Sequence, residues 1–101
     1  MKLEKLKTKN KLHGGSFLMP SMATDFKNLL IESVESELPL ELYLDDIEGI
    51  DTLNLQMLVS CKKTYEAKKQ EFIVKGYSDN FEKQARTLGL FNFLVEGNAD
   101  A

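Results

Sequence analysis

Among the side chains of this sequence, Thr52 is the best placed to do chemistry. It follows Ile50-Asp51 at a junction where an alternating apolar segment gives way, through a turn, to a helical pattern. A hydroxyl delivered by such a junction lies at the rim of a fold, beside unpaired backbone N–H groups and the positive end of a helix dipole. That setting suits a phosphoacceptor. It equally suits a plain N-cap, with the Thr52 oxygen accepting from the backbone of Asn54 or Leu55. The carboxylates Asp45, Asp46, Glu48 and Asp51 could gather around a divalent cation, although acidic turns are ordinarily just solvated. One histidine, His13, in an expected loop, and one cysteine, Cys61, are a poor start for a zinc site or a disulfide. The chain has no histidine–acid–nucleophile set and no glycine-rich phosphate loop, so the reading is non-enzymatic, with no catalytic residue, cofactor or metal.

The elements that must position Thr52 are legible around it. Leu40, Leu42 and Leu44 alternate with Glu41 and Tyr43 as a half-buried strand, Asp45 to Gly49 form an acidic turn, and a helix runs from about Thr52 to Lys68. Leu55, Leu58, Cys61 and Tyr65 mark its buried stripe, with Cys61 a small hydrophobe rather than a reactive thiol. Lys62, Lys63, Lys68 and Lys69 crowd its end, where cations suit the negative pole of the dipole. Upstream, residues 2–8 alternate loosely, and an apolar run at Ser16 to Met19 follows the Gly14-Gly15 break, predicting two short strands. Phe17-Leu18-Met19-Pro20 reads as core, with an exposed apolar patch for a partner as the alternative. Ser21 is the expected cap of a first helix carrying Met22, Phe26, Leu29, Leu30 and Val34 and ending near Glu37. Downstream, residues 71–75 read as a strand closed by Gly76, and Ser78 or Asp79 can cap a third helix that stops at Gly89. Residues 90–95 should pack back as a strand or short helix.

At 101 residues, 43% apolar and 29% charged, the chain is long enough for one core and too short for two, so residues 1–101 are read as one domain, ordered over 1–96 and frayed over 97–101. No apolar run approaches the roughly 18 residues of a membrane span, and the charged N-terminus has no apolar stretch behind it; a soluble, cytoplasmic protein without membrane insertion is expected. The net charge of −3 is unevenly spread, with five lysines against Glu4 over residues 1–13 and nine acids against Lys27 over residues 25–51. That balance argues against binding nucleic acid. The lysine-rich N-terminus reads as a protected edge strand.

Strands alternating with helices predict an α/β layer in which residues 40–44 and 71–75 lie side by side in parallel, with Thr52 on the carboxyl edge of the sheet. The order of elements and several local words resemble the STAS domains, the family of anti-sigma factor antagonists and of sulfate-transporter tails. The words are Leu42-Tyr43-Leu44-Asp45, then Ile50-Asp51-Thr52-Leu53-Asn54, then Phe72-Ile73-Val74, then Leu88-Gly89-Leu90-Phe91. The resemblance implies a STAS-like α/β fold, a mixed four- to five-stranded sheet flanked by about four helices. It further implies a regulatory interaction module in which Thr52 is the phosphoacceptor and Asp51, Thr52, Leu53, Asn54 and Gln56 form the partner-binding edge. The implied partner is an anti-sigma factor serine kinase or a related regulatory ATPase, and a homodimer is allowed. The alternative is an accessory subunit of a transporter ATPase or of a chemotaxis or signalling complex, with no phospho-switch. Leu53 and Asn54 depart from the small residue and glycine of the family motif, and Asn54 is expected to tolerate unusual backbone angles there.

Overall fold

The computed structural model describes residues 1–95; the fraying expected of residues 97–101 lies outside them. Four strands form the main sheet: β1 (Lys2–Lys5), β2 (Asn10–His13), β4 (Leu40–Leu44) and β6 (Phe72–Tyr77), in the order β1-β2-β4-β6. Only β1 and β2 are antiparallel; β2–β4 and β4–β6 are parallel, the pairing expected for the last two. The helices α1 (Ala23–Glu35) and α2 (Thr52–Ala67) make the two crossovers and pack on each other. Because both crossovers step in the same direction along the sheet, the right-handed rule puts both helices on one face. The short segments β3 (Phe17–Leu18) and β5 (Gly49–Ile50) pair in parallel as a separate ribbon at the sheet's carboxyl edge. The helices α3 (Asp79–Thr87) and α4 (Phe91–Leu94) close the chain.

Period-two alternation decides which side of the sheet is core. Asn10 and Leu12 of β2 and Leu40, Leu42 and Leu44 of β4 are buried beneath the helices, whereas Lys11, His13, Glu41 and Tyr43 are only half-buried on the opposite face. The helices answer with Phe26 and Leu30 from α1, and with Leu55, Leu58, Cys61 and Tyr65 from α2, the stripe expected from spacing. Each such side chain, taken fully out of water, contributes about 1.5–3 kcal/mol. A polar seam runs through this core: the Asn10 amide donates to Ser36 Oγ at 2.6 Å, and Ser33 Oγ bonds the Tyr65 hydroxyl, tying β2, α1 and α2 together.

Several local expectations are corrected. His13 is not in a loop but on β2, stacked on Tyr43 at 5.1 Å with Nε2 2.7 Å from Glu4 Oε1. Ser21 does not cap α1; a 3₁₀ turn over Pro20–Met22 precedes it, and the cap position falls on Met22 with no side-chain bond. Residues Glu37 (φ 59°) and Lys69 (φ 58°) take the left-handed conformation just past α1 and α2, a place where glycine is the usual occupant. The strand from residue 72 runs through Gly76 to Tyr77, with a bulge opposite Leu42/Tyr43. A Cβ at Gly76 would sit 2.2 Å from the Asp45 carboxylate, so the exposed Asp45 side chain packs over this position and would have to swing away to admit one. No helix among the described residues is long and apolar enough to cross a membrane.

Candidate functional site

The junction at Thr52 is built by Asp51 and Asn54. Asp51, in extended conformation (φ −86°, ψ 168°), is the N-cap of α2, its carboxylate accepting from the backbone of Leu53 at 3.3 Å and of Asn54 at 3.2 Å. Thr52 is therefore not the cap. It is the first helical residue, exposed, with its hydroxyl unbonded among the described residues. The cap also consumes two of the backbone donors that an anion at this helix start would use.

Asn54 does something the sequence does not announce. It is helical and fully buried, and its amide nitrogen donates to the carbonyls of Leu18 and Met19, each at 3.0 Å, and to Asp51 Oδ1. The β3–β5 ribbon is thereby pinned to the first turn of α2, reinforced by the Asp51 N–H donating to Leu18 at 3.0 Å. Asn54 keeps an ordinary helical backbone and makes no use of its tolerance of unusual angles, and its side chain, at 0% exposure, lies beneath the partner-binding edge rather than on it. Of the five residues assigned to that edge, Thr52, Leu53 and Gln56 are exposed and Asp51 is half-buried.

Exposed apolar side chains stand on the segments that meet at this junction. Leu53 is 49% exposed, and from β3 and the residue after it come Phe17 at 49% and Met19 at 45%, only Leu18 between them being core. The core reading of this run holds for Leu18 alone, and the alternative, an exposed apolar patch, describes Phe17 and Met19: the ribbon turns Leu18 inward and its neighbours outward. A crevice of about 380 Å³ adjoins, lined by Met19, Glu48, Asp51, Asn80 and Lys83 among others. No three His, Cys, Asp or Glu side chains converge on a common point among the described residues. Cys61 is buried, and burial pushes its thiol up to about 12, so it stays protonated and unreactive at neutral pH.

Most of the chain superposes on a known architecture. It matches the solved structure of the anti-sigma factor antagonist SpoIIAA in its unphosphorylated form with a TM-score of 0.76, over 89% of this chain and 81% of that one. This chain has the STAS fold. The identity across that match is 12%, so the likeness is one of fold. No protein-family model and no curated protein sequence matches the chain. Within the STAS fold observed here, the four-stranded mixed sheet and four helices agree with the architecture expected from the local words, and β3 and β5 pair beside it as a separate ribbon.

Signals for what was missed are faint. An asparagine three residues after an N-cap aspartate is compatible with an ordinary first turn, and its partners lie 35 and 36 residues away in sequence. Lys62 was expected among solvated cations at the end of α2. It is instead 2% exposed, donates to the Phe93 carbonyl and lies 4.8 Å from the centre of the Phe93 ring, holding α4 against α2. Desolvation lowers its pKa.

Proposed function

We propose that this chain is a non-enzymatic regulatory module that binds a protein partner through the start of α2, in the manner of an anti-sigma factor antagonist, and that Thr52 is its control point. One observation carries the reading: an exposed, unbonded hydroxyl stands on a turn pinned to β3, and the segments that meet there carry three exposed apolar side chains, Phe17, Met19 and Leu53. Apolar anchors around a polar centre are the makings of a small interface. A phosphate on Thr52 would add nearly two negative charges next to Asp51 and Glu48, the surface that the partner must cover. Its effect falls on binding, by bulk and repulsion, rather than on folding. The partner is a regulatory ATPase of the serine-kinase type, met in the cytoplasm.

The test compares Thr52→Ala and Thr52→Glu with the native chain for affinity to the ATPase recovered with it from its own cells, beside their thermal unfolding and a mass-spectrometric search for phosphothreonine. Since Asp51 is the cap, the alanine variant should unfold within about 0.5 kcal/mol of the native protein. It should bind, and the glutamate variant should not. Equal binding by both, with no phosphate at Thr52, would remove the switch. A second reading, a constitutive docking subunit of a transporter ATPase or signalling complex, draws support from Asp51, which already occupies the donors that would welcome a phosphate.

A further inference from the structure

A second surface lies away from Thr52's crevice, in the groove that runs lengthwise between α1 and α2. It encloses about 580 Å³, and its twelve lining residues extend from Ala23 and Leu53 at one end to Glu35 and Thr64 at the other. The helices run in the same direction, each returning between parallel strands, so their positive poles share one end of the groove and their negative poles the other. The lining is mainly apolar, and Ile31 stands at its rim 44% exposed. Two charged residues line it, Lys27 and Glu35, and neither forms an ion pair among the described residues.

Their spacing identifies the occupant. Lys27 lies four residues before Ile31 and Glu35 four residues after it (31 − 27 = 35 − 31), so the charges are symmetric in place and opposite in sign about Ile31. A two-fold axis crossing α1 at Ile31 lays a second α1 antiparallel on the first. Ile31 then meets its own copy, and Lys27 of each copy faces Glu35 of the other, twice over. The same operation sets the poles of each helix pair against the opposite poles of the other. We infer that the α1–α2 groove is the self-association surface of this chain, closed by a second copy in an isologous dimer centred on Ile31. A helix from an unrelated protein would satisfy the apolar floor, but the self-complementary charge pattern is what a second copy requires. Twelve residues a side is fewer than the roughly 20–30 of a standard interface, so the dimer is weak and reversible.

Sedimentation of the full chain from about 10 µM to 1 mM tests this, the range in which a weak dimer dissociates. The native chain should pass from monomer to dimer across it. Ile31→Asp, at an exposed position that leaves the circular dichroism unchanged, should weaken association by at least about tenfold. Lys27→Glu and Glu35→Lys should each weaken it by about three- to tenfold and make it insensitive to or improved by salt, because each converts two attractions into repulsions. The double variant Lys27→Glu with Glu35→Lys restores both pairs with reversed sign and should return to within about twofold of the native chain. A monomer at every concentration, association unaltered by Ile31→Asp, or failure of the double variant to recover would each overturn the inference, the first leaving the groove to a helix of another protein. The groove shares only Leu53 with the partner edge, and Thr52→Glu alters neither Ile31 nor the Lys27 and Glu35 charges, so it should leave the dimer unchanged and failure of the dimer can be told from failure of the switch.

Discussion

Replacing Asn54 by aspartate keeps the shape of the side chain and reverses its hydrogen-bonding sense. The amide nitrogen now facing the Leu18 and Met19 carbonyls and Asp51 Oδ1 would become an oxygen confronting three oxygens, at a position with no exposure. The new carboxyl can stay neutral only by holding a proton at pH 7 against an ordinary pKa near 3.9, roughly three pH units at about 1.4 kcal/mol each, or about 4 kcal/mol. A neutral acid then has one O–H donor where the amide has two N–H donors shared among three acceptors, and the one lost bond costs about 1 kcal/mol. The sum, about 5 kcal/mol, is comparable with the whole stability of a small domain. The folded-state pKa of the new group is raised, so its contribution is intact below about pH 4 and lost as pH rises through the raised value. Asn54→Asp should therefore be largely unfolded at pH 7 and recover near pH 4.5, as read by urea titrations followed by circular dichroism at both pH values. Asn54→Ala, which removes the bonds together with the orphaned buried Oδ1, should cost only about 1–3 kcal/mol with little pH dependence. An aspartate variant as stable as the native chain at pH 7 would refute the pinning of β3 to α2.

Two further outcomes follow from the core. Leu58, 1% exposed in the middle of α2, should cost about 2–5 kcal/mol when truncated to alanine, and an unchanged denaturation midpoint would contradict its packing. Burial raises the Cys61 thiol from 9.0 to about 12 and the Tyr65 hydroxyl from 10.0 to about 12, so the folded chain keeps protons that the unfolded chain releases. Stability should hold below pH 9 and then fall by roughly 1 kcal/mol per pH unit for each group up to about pH 12, more gently in Cys61→Ala; native-state thiol labelling should be slow throughout.

The parts legible in sequence are those whose signal is local. The alternation at 40–44, the stripe Leu55-Leu58-Cys61-Tyr65 and the Ser78 cap, which accepts from Phe81 N at 3.1 Å, each depend on neighbours within one turn or one pleat. The strand-to-helix junction is legible for the same reason. What was not legible depends on contacts made across 20 to 40 residues. Lys62 resembles its three solvated neighbours until the Phe93 carbonyl of α4 arrives to accept its hydrogen bond, and Asn10 resembles a loop residue until Ser33 and Ser36 come beneath it. The ends of α1 and α2 were blurred because a glutamate and a lysine occupy the left-handed positions where glycine would have marked a stop. Phe17 and Met19 misled for a different reason: a two-residue strand is too short for alternation to show which face is inward.

The two crossover helices α1 and α2 both cover the same side of the main sheet, and that asymmetry governs how the sequence can drift. Along β2 and β4, every second position, Leu12, Leu40, Leu42 and Leu44, answers to the packed layer, whereas Lys11, His13, Glu41 and Tyr43 answer chiefly to each other through one stacked ring pair and a few ion pairs. Substitution tolerance along these strands should therefore rise and fall with a period of two, strict about size inside and permissive about identity outside. A lineage can replace almost every outward residue without disturbing the layer beneath. Ancestry in such a domain fades from the letters long before it fades from the backbone, and what persists longest is the rhythm of leucines rather than any particular word.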